Sequence, residues 1–211
     1  METLPQLPLI EGDSAERADA ARNRERVLAS AAELFHERGP ACVSMDEVAD
    51  HAGVGKGTVF RRFGSRAALA QAVLSERERE FQEHFIRGAP PLGPGAPPRE
   101  RLIAFGERFL EHLQRHARLI AAAELGGARL VSAPYAAHRQ HVTLLLREGD
   151  PSCDAELLAE MLLAALSAEL YIYLREQRSL PLERLQAGWR ELVVRALAGE
   201  HAPEAAAAAD H

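Results

Sequence analysis

The sequence predicts an all-α protein, and three observations carry that expectation. Apolar residues recur at spacings of three and four from Val27 to the C-terminal tail, which is the period of one helix face. No stretch sustains the β-branched or aromatic alternation that a half-buried strand needs. Gly and Pro punctuate the chain at Gly39-Pro40, Gly53, Gly64, Gly88 to Pro98, Gly126-Gly127, Pro134, Gly149-Pro151, Pro181 and Gly199, delimiting about nine helices.

The first helix is expected from about Ala18 to Arg38, with Val27, Leu28, Ala31, Leu34 and Phe35 on one stripe and Gly39-Pro40 as its stop. Ser44 with Glu47 then forms a capping box, in which the hydroxyl accepts from the Glu47 N–H and the carboxylate reaches back to Ser44. A helix of about two turns follows, buries Val48, Ala49 and Ala52, and stops at Gly53, where a left-handed turn needs no Cβ. A second short helix covers about Lys56 to Phe63, and Ser65 caps a fourth that carries Leu69, Val73 and Leu74.

Two short helices joined by a glycine turn and backed by a longer one form a helix-turn-helix, whose second short helix enters the major groove of DNA. Charge agrees with that placement. The chain as a whole has 25 Lys plus Arg against 31 Asp plus Glu, a formal charge of −6, so no global field draws it to nucleic acid. Between Gly53 and Arg66, however, stand Lys56, Arg61, Arg62 and Arg66 with no acid, a local footprint for phosphate. Arg62 is the favoured base reader, because a guanidinium bonds guanine O6 and N7 together; Lys56, Thr58 and Arg66 suit phosphates. Val59 and Phe63 fall on the apolar stripe and are expected in the core.

At these residues the chain resembles the TetR family of transcriptional regulators. The resemblance runs from about Arg22 to Val73 and rests on Ser44-Met-Asp-Glu-Val-Ala-Asp-His-Ala-Gly-Val-Gly-Lys-Gly-Thr-Val-Phe-Arg-Arg-Phe63 followed by Gly-Ser-Arg-Ala-Ala-Leu69. It implies that Ser44, Met45, Lys56, Gly57, Thr58, Phe60, Arg61, Arg62 and Arg66 face DNA. It also implies a variable C-terminal domain that binds a small-molecule effector and dimerises. Two positions depart from the family pattern: Phe60 stands where Tyr is usual, and Gly55 where a capping Ser is common. Gly53-Val-Gly-Lys-Gly-Thr58 is not a nucleotide-binding loop, since Asp50 and Gly57 occupy the positions where that motif needs Gly and Ser or Thr.

The remaining helices are expected at about Arg99–His116, Arg118–Leu125, Pro134–Arg147, Cys153–Gln177 and Leu182–Leu197. Phe105, Phe109, His112, His116, His138 and His141 lie on inward stripes, with Glu169 and Tyr173 as further pocket candidates. The histidines have three readings: half-buried core residues, donors and acceptors for an effector, or metal ligands through His112-xxx-His116 and His138-xx-His141. The first is favoured, and no metal or cofactor is expected. Glu169 is read as a rim carboxylate or a buried partner for a cation, and Tyr135, Tyr171 and Tyr173 as packing or pocket residues. The helices Cys153–Gln177 and Leu182–Leu197 carry more apolar surface than one small domain buries, so they are expected to dimerise through Leu158, Leu162, Leu166, Leu185, Trp189, Leu192 and Val193.

Gly88 to Pro98 is the one low-complexity stretch in the body and a candidate domain boundary. The motifs themselves divide the chain into a tail at 1–17, a DNA-binding domain at 18–66 with its helix-turn-helix at 44–63, an effector and dimerisation domain at 67–199, and a tail at 200–211. Residues 17–66 hold nine cations against seven acids, so the acidic balance belongs to the rest. Met1 to Ile10 lacks the basic and apolar runs of a signal peptide. Glu160 and Glu169 interrupt the most apolar stretch, Leu157 to Leu174, and argue against a membrane span. Cys42 and Cys153 are too few for a disulfide framework, which fits a cytoplasmic protein. The expected function is a homodimeric transcriptional regulator, a repressor released from a pseudo-palindromic operator by a small apolar or amphipathic ligand. The alternative is a helical-bundle enzyme or an interaction module without DNA binding; for the enzyme, the chain shows no nucleophile with an adjacent base, no Glu-x-x-His repeat and no nucleotide loop.

Overall fold

In a computed structural model, which describes residues 12–123 and 130–198, the chain opens on a long helix, α1 (Gly12–Arg38), that buries Val27, Leu28, Ala31, Leu34 and Phe35. This is the expected stripe, on a helix that starts earlier than Ala18. A single 3₁₀ turn, Pro40–Cys42, leads to α2 (Met45–Ala52). The Ser44 capping box is present in both halves: Glu47 N–H donates to Ser44 Oγ at 3.2 Å, and Glu47 Oε2 accepts from the Ser44 N–H at 2.8 Å. The bond from Ser44 and a second from Arg38 hold the Glu47 carboxyl down at about 2. Gly53 takes φ 62°, ψ 42° and ends α2 in the left-handed region.

The second short helix, α3 (Lys56–Phe63), starts at Gly55 without a side-chain cap. Ser65 Oγ accepts from the Ala68 N–H at 3.1 Å and opens α4 (Arg66–Arg87). The chain divides into two compact units, the first ending at Val73 and the second beginning at Leu74, so the division falls within α4. In the first unit α1 packs on α2, and α2 on α3, around Val48, Ala49, Ala52 and Val59.

The second unit is built on α5 (Pro98–Ala123), which packs against α6 (Ala133–Gly149), α8 (Ala168–Ile172) and α9 (Leu182–Ala196), while α7 (Ala155–Ala164) lies on α6. Its core gathers Phe81, Phe85, Leu102, Phe105, Leu113, Leu145, Leu146, Leu162, Leu163, Trp189 and Val193. α5 and α9 touch through one glycine. A Cβ on Gly106 would fall 1.9 Å from the Trp189 ring, whose Nε1 donates to the carbonyls of Leu102 and Ile103 at 3.1 Å each.

Two further helix boundaries differ from expectation. α5 runs through His116-Ala-Arg118 unbroken, because none of the three interrupts a helix. Conversely, the single helix expected over Cys153–Gln177 is three pieces: α7, α8 and a π-helical turn at Tyr173–Gln177. The break follows Ala164, where Ser167 Oγ accepts from the Leu170 N–H at 3.3 Å and so caps a new helix without Gly or Pro. The tail expected at 200–211 lies outside the described residues, as do most of the 1–17 tail and the Gly126-Gly127 turn. Among the described residues no single helix is long and apolar enough to cross a membrane; α7 and the segment Ala168–Gln177 reach that length only together, bent by 40°.

Candidate functional site

The first unit presents α3 on a braced support. Arg26, on α1, donates from Nη2 to the carbonyls of Ala52 at 2.5 Å and Gly53 at 3.2 Å. These carbonyls end α2, and a cation there is favoured by the helix dipole as well as by the bonds. Arg38 reaches Glu47 at 2.8 Å and ties the end of α1 to the start of α2. Sequence reading had no signal for the Arg26 clamp, since donor and acceptors are distant in the chain.

The residues that the sequence placed at DNA separate into three kinds. Met45 is a correction: at 6% exposure it is buried in the core and presents no side chain to DNA. Ser44 is occupied by its cap. Lys56, Arg62 and Arg66 are exposed but committed: Lys56 Nζ lies 3.0 Å from Asp46, Arg62 Nη1 donates to the Ala20 carbonyl at 2.8 Å, and Arg66 Nη1 to the Ala41 carbonyl at 2.7 Å. The Asp46 bond holds the Lys56 ammonium above its ordinary pKa. The third kind faces outward and is unspent. Arg61 is exposed and makes no ion pair or hydrogen bond among the described residues. Phe60 is 47% exposed, Thr58 is half-buried, and the space a Cβ on Gly57 would occupy is open to 4 Å. A glycine inside a helix costs about 0.5–1 kcal/mol relative to alanine, and nothing in this fold requires one at 57.

The second unit brings the sequence's histidines onto a cluster of phenylalanines. Phe81 and Phe85 of α4, Phe105 and Phe109 of α5, and the His138 ring of α6 stand with ring centres 5.2–6.1 Å apart in their closest pairs. The His141 ring lies 4.4 Å from that of Phe85, and His112 stacks on Phe81 at 5.9 Å and lies tilted against His116 at 4.9 Å. Buried His138 Nε2 lies 2.8 Å from the Glu78 carboxylate, and Gln82 donates to the same carboxylate at 2.7 Å. Burial pushes the Glu78 carboxyl up, but His138 and Gln82 outweigh it and leave it below the usual range. Burial lowers His112 and His141 to about 4 each, with Arg101 adding to the effect at His141. Glu78 and Gln82 were missed in the sequence because α4 reads there as a solvated run, Ser-Glu-Arg-Glu-Arg-Glu.

Other assignments are corrected. Glu169 is exposed, in keeping with its reading as a rim carboxylate and against a buried partner for a cation, and Tyr173 is 41% exposed, so neither is a pocket residue. Leu162, Leu166, Trp189 and Val193 are buried within their own unit and do not form an outer face. Leu158 and Leu185 are half-buried, and Leu192 is exposed as expected. The outward apolar residues of α7 are Leu157 and Met161, one turn apart. Among the described residues no group of three His, Cys, Asp or Glu is arranged to hold a metal ion.

A capped short helix, a left-handed glycine turn and a second short helix with an outward arginine define a helix-turn-helix DNA-binding protein. Residues 27–73 match the model of the family described as bacterial regulatory proteins, tetR family. The match places this helix-turn-helix segment with the TetR family of DNA-binding transcriptional regulators. The chain is 25% identical over 169 residues to the HTH-type transcriptional regulator SAR2658 of Staphylococcus aureus, covering 79% of this chain and 90% of that one. Its fold is similar to that of a TetR-family regulator from Rhodococcus sp., with a TM-score of 0.64, 17% identity, and coverage of 84% and 99% of the two chains. It is also similar in fold to the regulator FadR of Bacillus subtilis solved in complex with stearoyl-CoA, with a TM-score of 0.61, 17% identity, and coverage of 82% and 98%.

Proposed function

We propose that the chain is a homodimeric cytoplasmic repressor that holds a pseudo-palindromic operator through two copies of α3 and leaves it when a small apolar or amphipathic effector binds the second unit. The outward face of α3 is the observation that carries the DNA-binding half. Arg61 is unspent, Phe60 is exposed, and Gly57 leaves room for a phosphate backbone to come within contact of the helix. In this reading Arg61 takes the base-reading role, Phe60 touches a thymine methyl or sugar, and Lys56, Thr58 and Arg66 meet phosphates. Arg62, bonded to α1, positions α3 instead of reading bases. Ser44 lends its N-capped helix end to a phosphate.

The effector half rests on the polar groups among the second unit's phenylalanines. A buried acid-base pair adds little stability over apolar packing, so Glu78–His138 beside His112 and His141 marks a site with a use beyond the fold. FadR of Bacillus subtilis holds stearoyl-CoA in its complex, which supports an apolar or amphipathic effector here. α4 carries residues of both units on one continuous helix. An effector that favours one tilt of α4 changes the separation of the two α3 helices by as much as its affinities for the two states differ. Dimerisation engages Leu157 and Met161 of α7 and Leu192 of α9, with Gly188 one turn before Leu192 leaving that face flat.

The test is a gel shift of the purified chain on the DNA upstream of its own gene. Sequence-dependent retardation that weakens with salt is expected, and equal retardation of an unrelated duplex of the same length sinks the reading.

A further inference from the structure

We propose that Arg101 and His141 hold the acidic head of an organic carboxylate whose apolar body lies against Phe85 and Phe105. The inference rests on the reading of the second unit as an effector site and names the chemistry of the effector.

Arg101 Nε, His138 Nε2 and His141 Nε2 are buried without a hydrogen-bond partner among the described residues, and of these only His138 faces a carboxylate, that of Glu78 at 2.8 Å. Arg101 Nε is buried and meets no acceptor among the described residues, and its Nη2 makes only a 3.5 Å contact with the Phe85 carbonyl. His141 is 8% exposed, and its Nε2 is likewise buried and unmet. Both groups border Phe85, Arg101 at its carbonyl and His141 with ring centres 4.4 Å apart. A guanidinium donates only, so what it lacks is an acceptor, and buried cations are ordinarily paired with anions. Among the described residues no carboxylate is bonded to Arg101 Nε or His141 Nε2. Glu78 of α4, the acid in this cluster, is already matched by His138 and Gln82. The groups acting on His141 are therefore Arg101 from α5 and His138 from α6, both of them bases, with Glu78 from α4 spent on the latter. An anion arriving between Arg101 and His141 supplies the missing charge and accepts both bonds. The rings of Phe85 and Phe105, with centres 5.5 Å apart, then offer its apolar part an aromatic surface.

The chain's one tryptophan reports on this place, because Trp189 Nε1 is bonded to the carbonyls of Leu102 and Ile103, beside Arg101 on α5. Trp189 fluorescence is titrated with dodecanoate, dodecan-1-ol and dodecylamine below their micellar concentrations. Dodecanoate is expected to bind at least tenfold more tightly than the alcohol, and the amine most weakly. Arg101→Met is expected to bring dodecanoate down to the alcohol's affinity while leaving the alcohol unchanged. If that variant does not fold, His141→Gln replaces it, with a loss of at least fivefold for dodecanoate alone. Equal affinity for acid and alcohol, preference for the amine, no binding of the acid, or full acid preference in the variants each overturns the proposal. The ligand-free gel shift separates the two readings. DNA binding without acid preference refutes the carboxylate site alone, and acid preference without DNA binding refutes the operator reading alone.

Discussion

Four single residues decide the largest consequences. Arg61 is free to read bases and Arg66 is bonded to the Ala41 carbonyl. Arg61→Ala should relax operator preference and cost about 1–3 kcal/mol on the best site, while Arg66→Ala should weaken all duplexes alike and reduce the salt slope by about one; competition gel shifts at several salt concentrations measure both. Gly57→Ala separates folding from binding. The variant should gain about 0.5–1 kcal/mol in urea unfolding, because alanine favours helix, yet bind operator less well. A Gly57→Ala protein with undiminished operator affinity would show that DNA does not approach this face. Gly106→Ala has the opposite character, since its Cβ overlaps the Trp189 ring. Overpacking of this kind costs about 1–3 kcal/mol, and thermal unfolding should fall by several degrees with a change in Trp189 emission.

At the scale of elements, legibility followed locality. Helix α2, the turn at Gly53 and α3 were readable because Ser44-x-x-Glu47, Gly53 and Gly64 act on neighbours in the chain, and all three do so in the structure. The division of α7 from α8 was not readable. It depends on a serine hydroxyl choosing a backbone N–H over solvent, in a run with no Gly or Pro. The phase of α7 was equally hidden: Leu157, Leu158, Met161, Leu162 and Leu163 surround it with apolar residues, so composition does not say which stripe faces in. The structure buries Leu162 and Leu163 and turns out Leu157 and Met161, the latter at 63% exposure. For the candidate site, the histidines were found by their stripe, but their acid was not, because Glu78 looks from sequence like its exposed neighbours. The outward stripe yields its own prediction. Leu157→Asp with Met161→Asp should shift sedimentation from dimer to monomer and leave the helical circular dichroism unchanged; a dimer that survives both substitutions would place the interface elsewhere.

Taken whole, the molecule keeps the His112 and His141 imidazoles of its second unit neutral and should be sensitive to acid. His112 and His141 titrate near 4 when folded against an ordinary value of 6.5. The unfolded chain therefore binds more protons between those limits, so stability is full above about pH 6.5 and declines as pH falls toward 4. Glu78, held below its ordinary 4.5, adds a further loss in the acid range. Melting temperatures should be level from pH 8 to 7 and drop progressively below 6.5, with a shallower decline in a His112→Asn, His141→Asn variant. Stability that rises on acidification from 6.5 to 4.5 would contradict the buried, neutral state of these rings.

The Arg26 clamp has a bearing on how the regulator finds its site. The guanidinium fixes the carbonyls at the end of α2 before any DNA is present, so the angle between α2 and α3 is set in the free protein. Ordering cost at this turn is met during folding and is not charged again on association. The reading head is in this sense a rigid tool, and the adjustable quantity in recognition becomes the spacing between two such tools. In the homodimer proposed above, a search along DNA then ends at whatever half-site separation the two copies present, and the proposed effector need alter only that one dimension to end the search in failure.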